Sequence, residues 1–335
     1  MQKEKQLDVL SICNVLKDII IKVSDQELQE LGLSKGTMIL ISEEEQQKIL
    51  DKFESKDKKI ELGGSGTNAM RTMAILGQNV SQAGMIGDDL YGNICLQRVK
   101  ELGIKSNIKK AKTGSTGTSI ILITPDGERT MNTCLGMSRC YTISDIPEAD
   151  IADSKYLHIT GYQWDTENQI QAINHAIQVA KDNNTKISFD LSDPFCVDRH
   201  RETFMSVMKD SVDIVFANLK EANMLTGKGL EESLEILGDL ADIAIIKCGP
   251  EGSWIKTKTQ KIKVAANNVQ VVDTTAAGDM YAGGFMYGLT KNMSLEECGK
   301  IANFCAETVI QQVGARIPDD FAKLVEKHIS VAAIA

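Results

Sequence analysis

The chain reads as an α/β protein: a mainly parallel sheet layered between helices, with a smaller β-sheet folded over it as a lid. Three observations predict this. Short runs rich in Val and Ile alternate with longer amphipathic segments over most of the 335 residues, as expected of strand–helix–strand units sharing one sheet. Two stretches, 14–62 and 104–135, break the alternation with strand-like pieces that have no crossover helix between them. No Pro/Gly/Ser linker, internal repeat or low-complexity tract divides the chain, so residues 1–335 are expected to form one domain, with the lid made from those two excursions.

Taken in order, the first strand is expected at 9–13. The first excursion follows, with strand-like pieces at 18–23 and 38–41. A helix over 67–76 opens after the glycines at 63, 64 and 66. Strand 80–86 and helix 91–102 form the next unit, and strand 119–124 lies in the second excursion. Strands at 156–159, 186–190, 214–217 and 243–247 then alternate with helices at 166–183 and 202–208. Helices at 278–289 and 295–313 complete the chain. Ligands of such sheets bind beyond the carboxyl ends of the parallel strands.

Bulk properties narrow the function. A net charge of −9 should repel nucleic acid and anionic membranes, although a local pocket of N–H groups can still hold a phosphorylated ligand. The eight cysteines form no Cys-x-x-Cys pair and only four histidines are present, which argues against zinc and for reduced, buried thiols. The opening MQKEKQLDVL is charged, without the apolar run of a signal peptide. No stretch reaches the length of a membrane span, and the expected location is cytoplasmic.

The most informative segment is VVDTTAAGDMYAGGFMYGL, 271–289. A β-rich stretch at 269–272 leads through Asp273 to the small residues Ala276, Ala277 and Gly278, and then into a helix. Small residues at a helix start let the backbone approach a ligand, and the first-turn N–H groups lack intrahelical partners. With the helix dipole they form an anion hole suited to a phosphoryl group. Asp279, at its edge, is placed to accept a proton from an attacking hydroxyl. A lone aspartate near a helix start is more often a cap. Here two aspartates bracket the small residues, and Gly283-Gly284 inside the helix implies close packing or ligand approach, since each glycine costs a helix interior about 1 kcal/mol.

This run resembles the Asp-Thr-x-Gly-Ala-Gly-Asp signature of the ribokinase-like (PfkB) carbohydrate and nucleoside kinases. The resemblance implies a three-layer α/β/α fold, a lid, ATP as phosphoryl donor and Asp279 as catalytic base. Ala276 stands where the family usually has glycine. A positive φ there would strain it by about 1 kcal/mol or more, whereas a requirement for the N–H alone would not. Gly63-Gly64-Ser65-Gly66-Thr67-Asn68 is similar to the family's Gly-Gly-x-x-x-Asn substrate loop, which implies substrate contacts at Gly63, Gly64 and Asn68. Asn14 to Asp18 resembles the Asn-x-x-x-Asp element, whose aspartate binds two substrate hydroxyls. Asn218 to Glu221 resembles the Asn-x-x-Glu element, in which the glutamate organises Mg²⁺ through water; its spacing equally fits a helix capping box. Lys247 to Gly252 resembles the nucleotide loop, with Gly249 and Gly252 in place. Lys247 departs from the usual Thr, and either brings charge to the phosphates or points to solvent. Asn303 sits where relatives contact adenine.

Within the family, residues 189–195, 115–138 and 313–316 follow the layout of the adenosine-kinase branch. The implied reaction is transfer from MgATP to the 5′-hydroxyl of a nucleoside, adenosine first among them. A sugar kinase, another purine nucleoside kinase and an inactive sugar- or nucleoside-binding sensor are the alternatives. Tyr162, Trp164 and Phe195 are candidates to stack on a base. Nothing in the chain decides between monomer and dimer. The dinucleotide fingerprint after Cys13, the P-loop and the protein-kinase motifs are absent from the sequence.

Overall fold

The computed structural model describes residues 4–332; Met1 to Lys3 of the amino-terminal run discussed above lie outside the described residues. The larger sheet has nine strands. Seven are parallel: β1 (Leu7–Ile12), β5 (Val80–Ile86), β6 (Lys105–Lys110), β9 (Ser154–Thr160), β10 (Lys186–Asp190), β11 (Ile214–Asn218) and β12 (Ile243–Lys247). β13 (Ser253–Lys256) and β14 (Lys261–Val264) extend it antiparallel, giving the order β14-β13-β12-β11-β10-β9-β1-β5-β6. A second sheet has five strands, β2 (Leu16–Lys22), β3 (Met38–Leu40), β4 (Lys59–Gly63), β7 (Thr116–Ile123) and β8 (Arg129–Gly136), in the order β3-β8-β7-β2-β4.

The helices are α1 (Asp25–Glu30), α2 (Glu43–Lys52), α3 (Ser65–Ile75), α4 (Leu90–Glu101), α5 (Glu148–Ala152), α6 (Glu167–Asp182), α7 (Pro194–Ser211), α8 (Leu219–Thr226), α9 (Leu230–Leu240), α10 (Ala277–Thr290), α11 (Leu295–Val309) and α12 (Phe321–Ala332). They make two layers because strand side chains alternate faces. Val9 of β1 with Ile214 and Phe216 of β11 pack towards α3, α10 and α11. Leu10 and Ile12, with Val215 and Ala217, pack towards α5 to α9. Strands covered on both faces read as continuous apolar runs, which is why β5, β10 and β12 match the expected bounds to the residue. Gly283 and Gly284 serve close helix packing: a methyl group at 283 would come 2.7 Å from the Ala69 carbonyl of α3, and one at 284 would come 2.8 Å from Cys305 Sγ of α11.

Several expectations change. Residues 105–110 are not part of the covering sheet; β6 pairs in parallel with β5 at the edge of the main sheet. Its polar, mostly exposed sequence KSNIKK gives an apolar-pattern reading nothing to find. The first excursion contains α1 and α2, each begun by a Ser-x-x-Glu capping box, Ser24/Glu27 and Ser42/Glu45. The 202–208 helix is the second half of α7, which starts eight residues earlier behind an Asp193 cap with Pro194 at its first turn and kinks at His200. Residues 269–272 are irregular rather than a strand, and α11 stops at Val309 rather than continuing to 313.

Candidate active site

The carboxyl ends of β1, β9, β10, β11 and β12, the first turns of α3 and α10, and the inner face of the covering sheet enclose a cavity of about 710 Å³, the size range of small-molecule sites. Among the expected site residues, Asn14, Asp18, Gly64, Asn68, Asn218, Glu221, Lys247, Gly249, Gly252, Ala276, Ala277, Gly278, Asp279 and Asn303 all line it. Gly63 alone does not, and its contribution is space. A methyl group there would overlap Asp18, 2.0 Å from Oδ1. Gly64 turns the chain into α3 with φ +98, where a side chain would meet the Asn14 carbonyl at 2.3 Å.

Asp279 stands in the first turn of α10. Its Oδ1 accepts from Ser65 Oγ at 2.5 Å and its Oδ2 from Asn68 Nδ2 at 2.9 Å, so the first turn of α3 holds the carboxylate. The N–H groups of Gly278 and Asp279 have no acceptor among the described residues, as the start of a helix dictates. Ala276, the N-cap, adopts φ +61 and ψ +10, so the position is one where a glycine would be unstrained. Asp273 fastens the loop: its carboxylate accepts from Thr275 N at 2.8 Å, Thr275 Oγ1 at 2.6 Å and Gly314 N at 2.7 Å.

Asp18, on β2, is 7% exposed. Burial, reinforced by Glu61 and Asp279, pushes its carboxyl up to about 7 against the opposing pull of Arg71 and Arg129. Asn14 is tied at both ends of its amide, accepting from Gln169 Nε2 at 2.6 Å and donating to the Tyr162 carbonyl at 3.4 Å. Asn218 and Glu221 form a full capping box at the start of α8. Glu221 nevertheless lies on the cavity wall, and burial raises its carboxyl above the usual range. Asn303 donates to the carbonyls of Val264 and Ala265 at 3.2 and 3.0 Å, bracing the loop after β14. Lys247 does not point to solvent. It is 14% exposed and pairs with Asp190 Oδ2 at 3.1 Å.

Among the stacking candidates only Tyr162 lines the cavity. Trp164 is core, with its ring centroid 5.3 Å from those of Phe189 and Phe204, and Phe195 is on the surface beneath Arg199. Sequence reasoning missed Ser65, Arg129, Asp190 and Glu307, all of which line the cavity. Ser65 was inside a quoted motif. Arg129 and Asp190 stand in the runs 115–138 and 189–195, where their registers on β8 and β10 could have pointed them inward, whereas Glu307 carried no local signal.

A sheet with this cavity at its strand ends, a carboxylate at a helix start and a second sheet across from it define a phosphotransferase acting on a hydroxyl group. The chain belongs to the pfkB family of carbohydrate kinases, whose model matches residues 37–321. It is similar to adenosine kinase from Sinorhizobium meliloti, 35% identical with a TM-score of 0.92 over 96% of this chain and 99% of that one. A probable sugar kinase from Rhizobium etli CFN 42 is 34% identical, also with a TM-score of 0.92, over 96% and 98%. Adenosine kinase 2 of Arabidopsis thaliana is 26% identical over 93% of this chain and 96% of its own length. The 5-dehydro-2-deoxygluconokinase of Bacillus subtilis is 26% identical over 75% and 81%.

Proposed function

We propose that the chain transfers the γ-phosphoryl of MgATP to the 5′-hydroxyl of a nucleoside, adenosine first among them, with Asp279 as the base. The observation that carries this is the position of Asp279, facing the cavity beside N–H groups that have no acceptor among the described residues. Asp279 accepts the hydroxyl proton as that oxygen attacks, and the free N–H groups of Gly278 and Asp279 meet the charge on the phosphoryl oxygens, the Ala277 N–H being given to the Thr274 carbonyl. Asp18, Gly64 and Asn68 anchor the ribose. The covering sheet acts as a lid that keeps water from the phosphoryl group.

The lid side of the cavity favours a nucleoside over a free sugar. Leu16, Met38, Leu40, Ile121, Met131 and Leu135 give it an apolar share, beside the polar Asp18, Ser119, Arg129 and Thr133, that suits the face of a nucleobase next to a ribose. The donor set suits magnesium only as an ion carried on the nucleotide. Among the described residues no three acidic, His or Cys side chains cluster to hold a metal, and Glu221 would face the ion through water. The ion would supply charge neutralisation on the phosphates.

The test is incubation with MgATP and adenosine, inosine, guanosine, ribose or fructose, with ADP and phosphorylated product measured. Adenosine converted to AMP is the expected result. Turnover of a free sugar alone would overturn the nucleoside assignment and keep Asp279.

A further inference from the structure

Lys247 ends β12, and its ammonium lies against the first turn of α10. A methyl group built at Gly278 would come 3.0 Å from Nζ and 3.9 Å from the adjoining Cε. Glycine at 278 therefore lets the ammonium approach the helix start closely. Of the three Nζ donors, one is given to Asp190 Oδ2 at 3.1 Å, and the other two have no acceptor among the described residues. Asp190 is held in turn, accepting from Ser192 N at 2.9 Å. The ammonium is thus aimed by a fixed carboxylate and has donors to spare.

We infer that Lys247 is a catalytic residue that donates to the oxygens of the transferring phosphoryl group beside the N–H groups at the start of α10. The inference rests on reading the cavity as a phosphoryl-transfer site. In the step, the substrate oxygen bonds to the γ-phosphorus, the bond from that phosphorus to the β-bridging oxygen breaks, and ADP leaves. Asp279 takes the proton and Lys247 keeps its own. A cation in a dry site strengthens such contacts as charge gathers on the oxygens. Burial alone would lower the lysine's pKa, but Asp190, Glu221 and Asp279 outweigh it and hold the ammonium above its ordinary value. The rival role is structural: Lys247 could do no more than neutralise the buried Asp190 and Glu221.

Four full-length proteins separate the two roles: wild type, Lys247→Met, Lys247→Arg and the double variant Asp190→Asn/Lys247→Met, which removes both charges of the pair. Steady-state rates give kcat and the KM for nucleoside. Calorimetry gives the affinities for ADP and for a non-hydrolysable ATP analogue, and melting curves report folding. Lys247→Met is expected to lower kcat by about 10²-fold with the nucleoside KM nearly unchanged, and to weaken the ATP analogue more than ADP. Lys247→Arg should recover part of kcat, and the double variant should regain melting temperature without turnover. Recovery of turnover in the double variant, or equal weakening of ADP and the ATP analogue, would overturn the proposal and leave the structural role. A wild type that turns over no acceptor would defeat the kinase reading, while the ADP-against-analogue comparison would still decide the phosphoryl contact.

Discussion

The two walls of the cavity store free energy in different forms. On the β2 wall, Asp18 and Glu61 crowd a buried space with Arg71 and Arg129 around them, and the cost is electrostatic, visible in an Asp18 carboxyl raised to about 7. On the α10 wall the recognition groups are backbone N–H groups, and the cost is conformational, visible in an alanine at φ +61. A wall of side chains responds to pH, whereas a wall of backbone does not. Functional sites commonly keep such local costs because the surrounding fold determines the geometry. Here the surrounding fold is a sheet buried on both faces.

The largest expected effect tests the α10 wall. Asp279→Asn keeps the side chain's shape and can still accept from Ser65, although its NH2 then faces the Asn68 amide donor, and it cannot take a proton at neutral pH. A folded variant should lose about 10²- to 10⁴-fold in kcat at nearly unchanged nucleoside KM, read by coupled ADP release. Near-normal turnover would remove Asp279 as the base and turn attention to Asp18.

Next in size is the pH response of the β2 wall. Asp18 is raised in the folded state, so its stabilising contribution is complete below the unfolded value of 3.8 and is lost as pH climbs through about 7. The rise corresponds to at most about 4 kcal/mol, at about 1.4 kcal/mol per pH unit. Asp18→Asn removes the titration. Urea unfolding at pH 5 and pH 8 should show the variant gaining on the wild type as pH rises, with the gap levelling above about pH 7. A gap independent of pH would mean that Asp18 is not the strained group. On the proposed reading the same variant should bind nucleoside poorly, because the carboxylate proposed to receive the ribose hydroxyls is gone.

The asymmetry between the walls also explains what the sequence could reveal. Backbone-built features leave a local trace: Ala276 to Asp279, Gly64 and Asn68 stand in short contiguous runs, and the structure brings them into one cavity. The doubly covered strands are legible for a related reason, since burial on both faces demands an unbroken apolar run. Side-chain clusters assembled from distant elements leave no such trace. Asp190 and Lys247 meet only because β10 and β12 flank β11 in parallel. Arg129 faces the cavity through the β8 register, and Glu307 binds Asn267 across 40 residues. Edge strand β6 was hidden by solvent exposure, and α8 by a capping box that also matches a binding motif. In each case what was missing is tertiary adjacency, which composition and period do not encode.

The smallest effect concerns the alanine at the helix entrance. An L-residue in the left-handed region costs about 1–2 kcal/mol, and glycine would relieve that. Opposing it, Ala276 is 6% exposed and packs with Met280 and Ile301, so deleting its methyl group forfeits about 0.8 kcal/mol of burial. Glycine also enlarges the entropy of the unfolded chain by a few tenths of a kcal/mol or more. The three contributions nearly cancel, and Ala276→Gly should change stability by less than about 1 kcal/mol, in contrast to an ordinary buried site. Turnover should stay within about twofold, because the N–H groups that face the cavity do not depend on the methyl group. Ala276→Val provides the sharper contrast. A β-branched residue at this φ adds strain without relief, so it should destabilise by more than 1 kcal/mol in the same urea titration. If valine were tolerated as well as glycine, the left-handed turn at 276 would not be what holds the start of α10 in place, and the cost on this wall would have to lie elsewhere in the 273–279 loop.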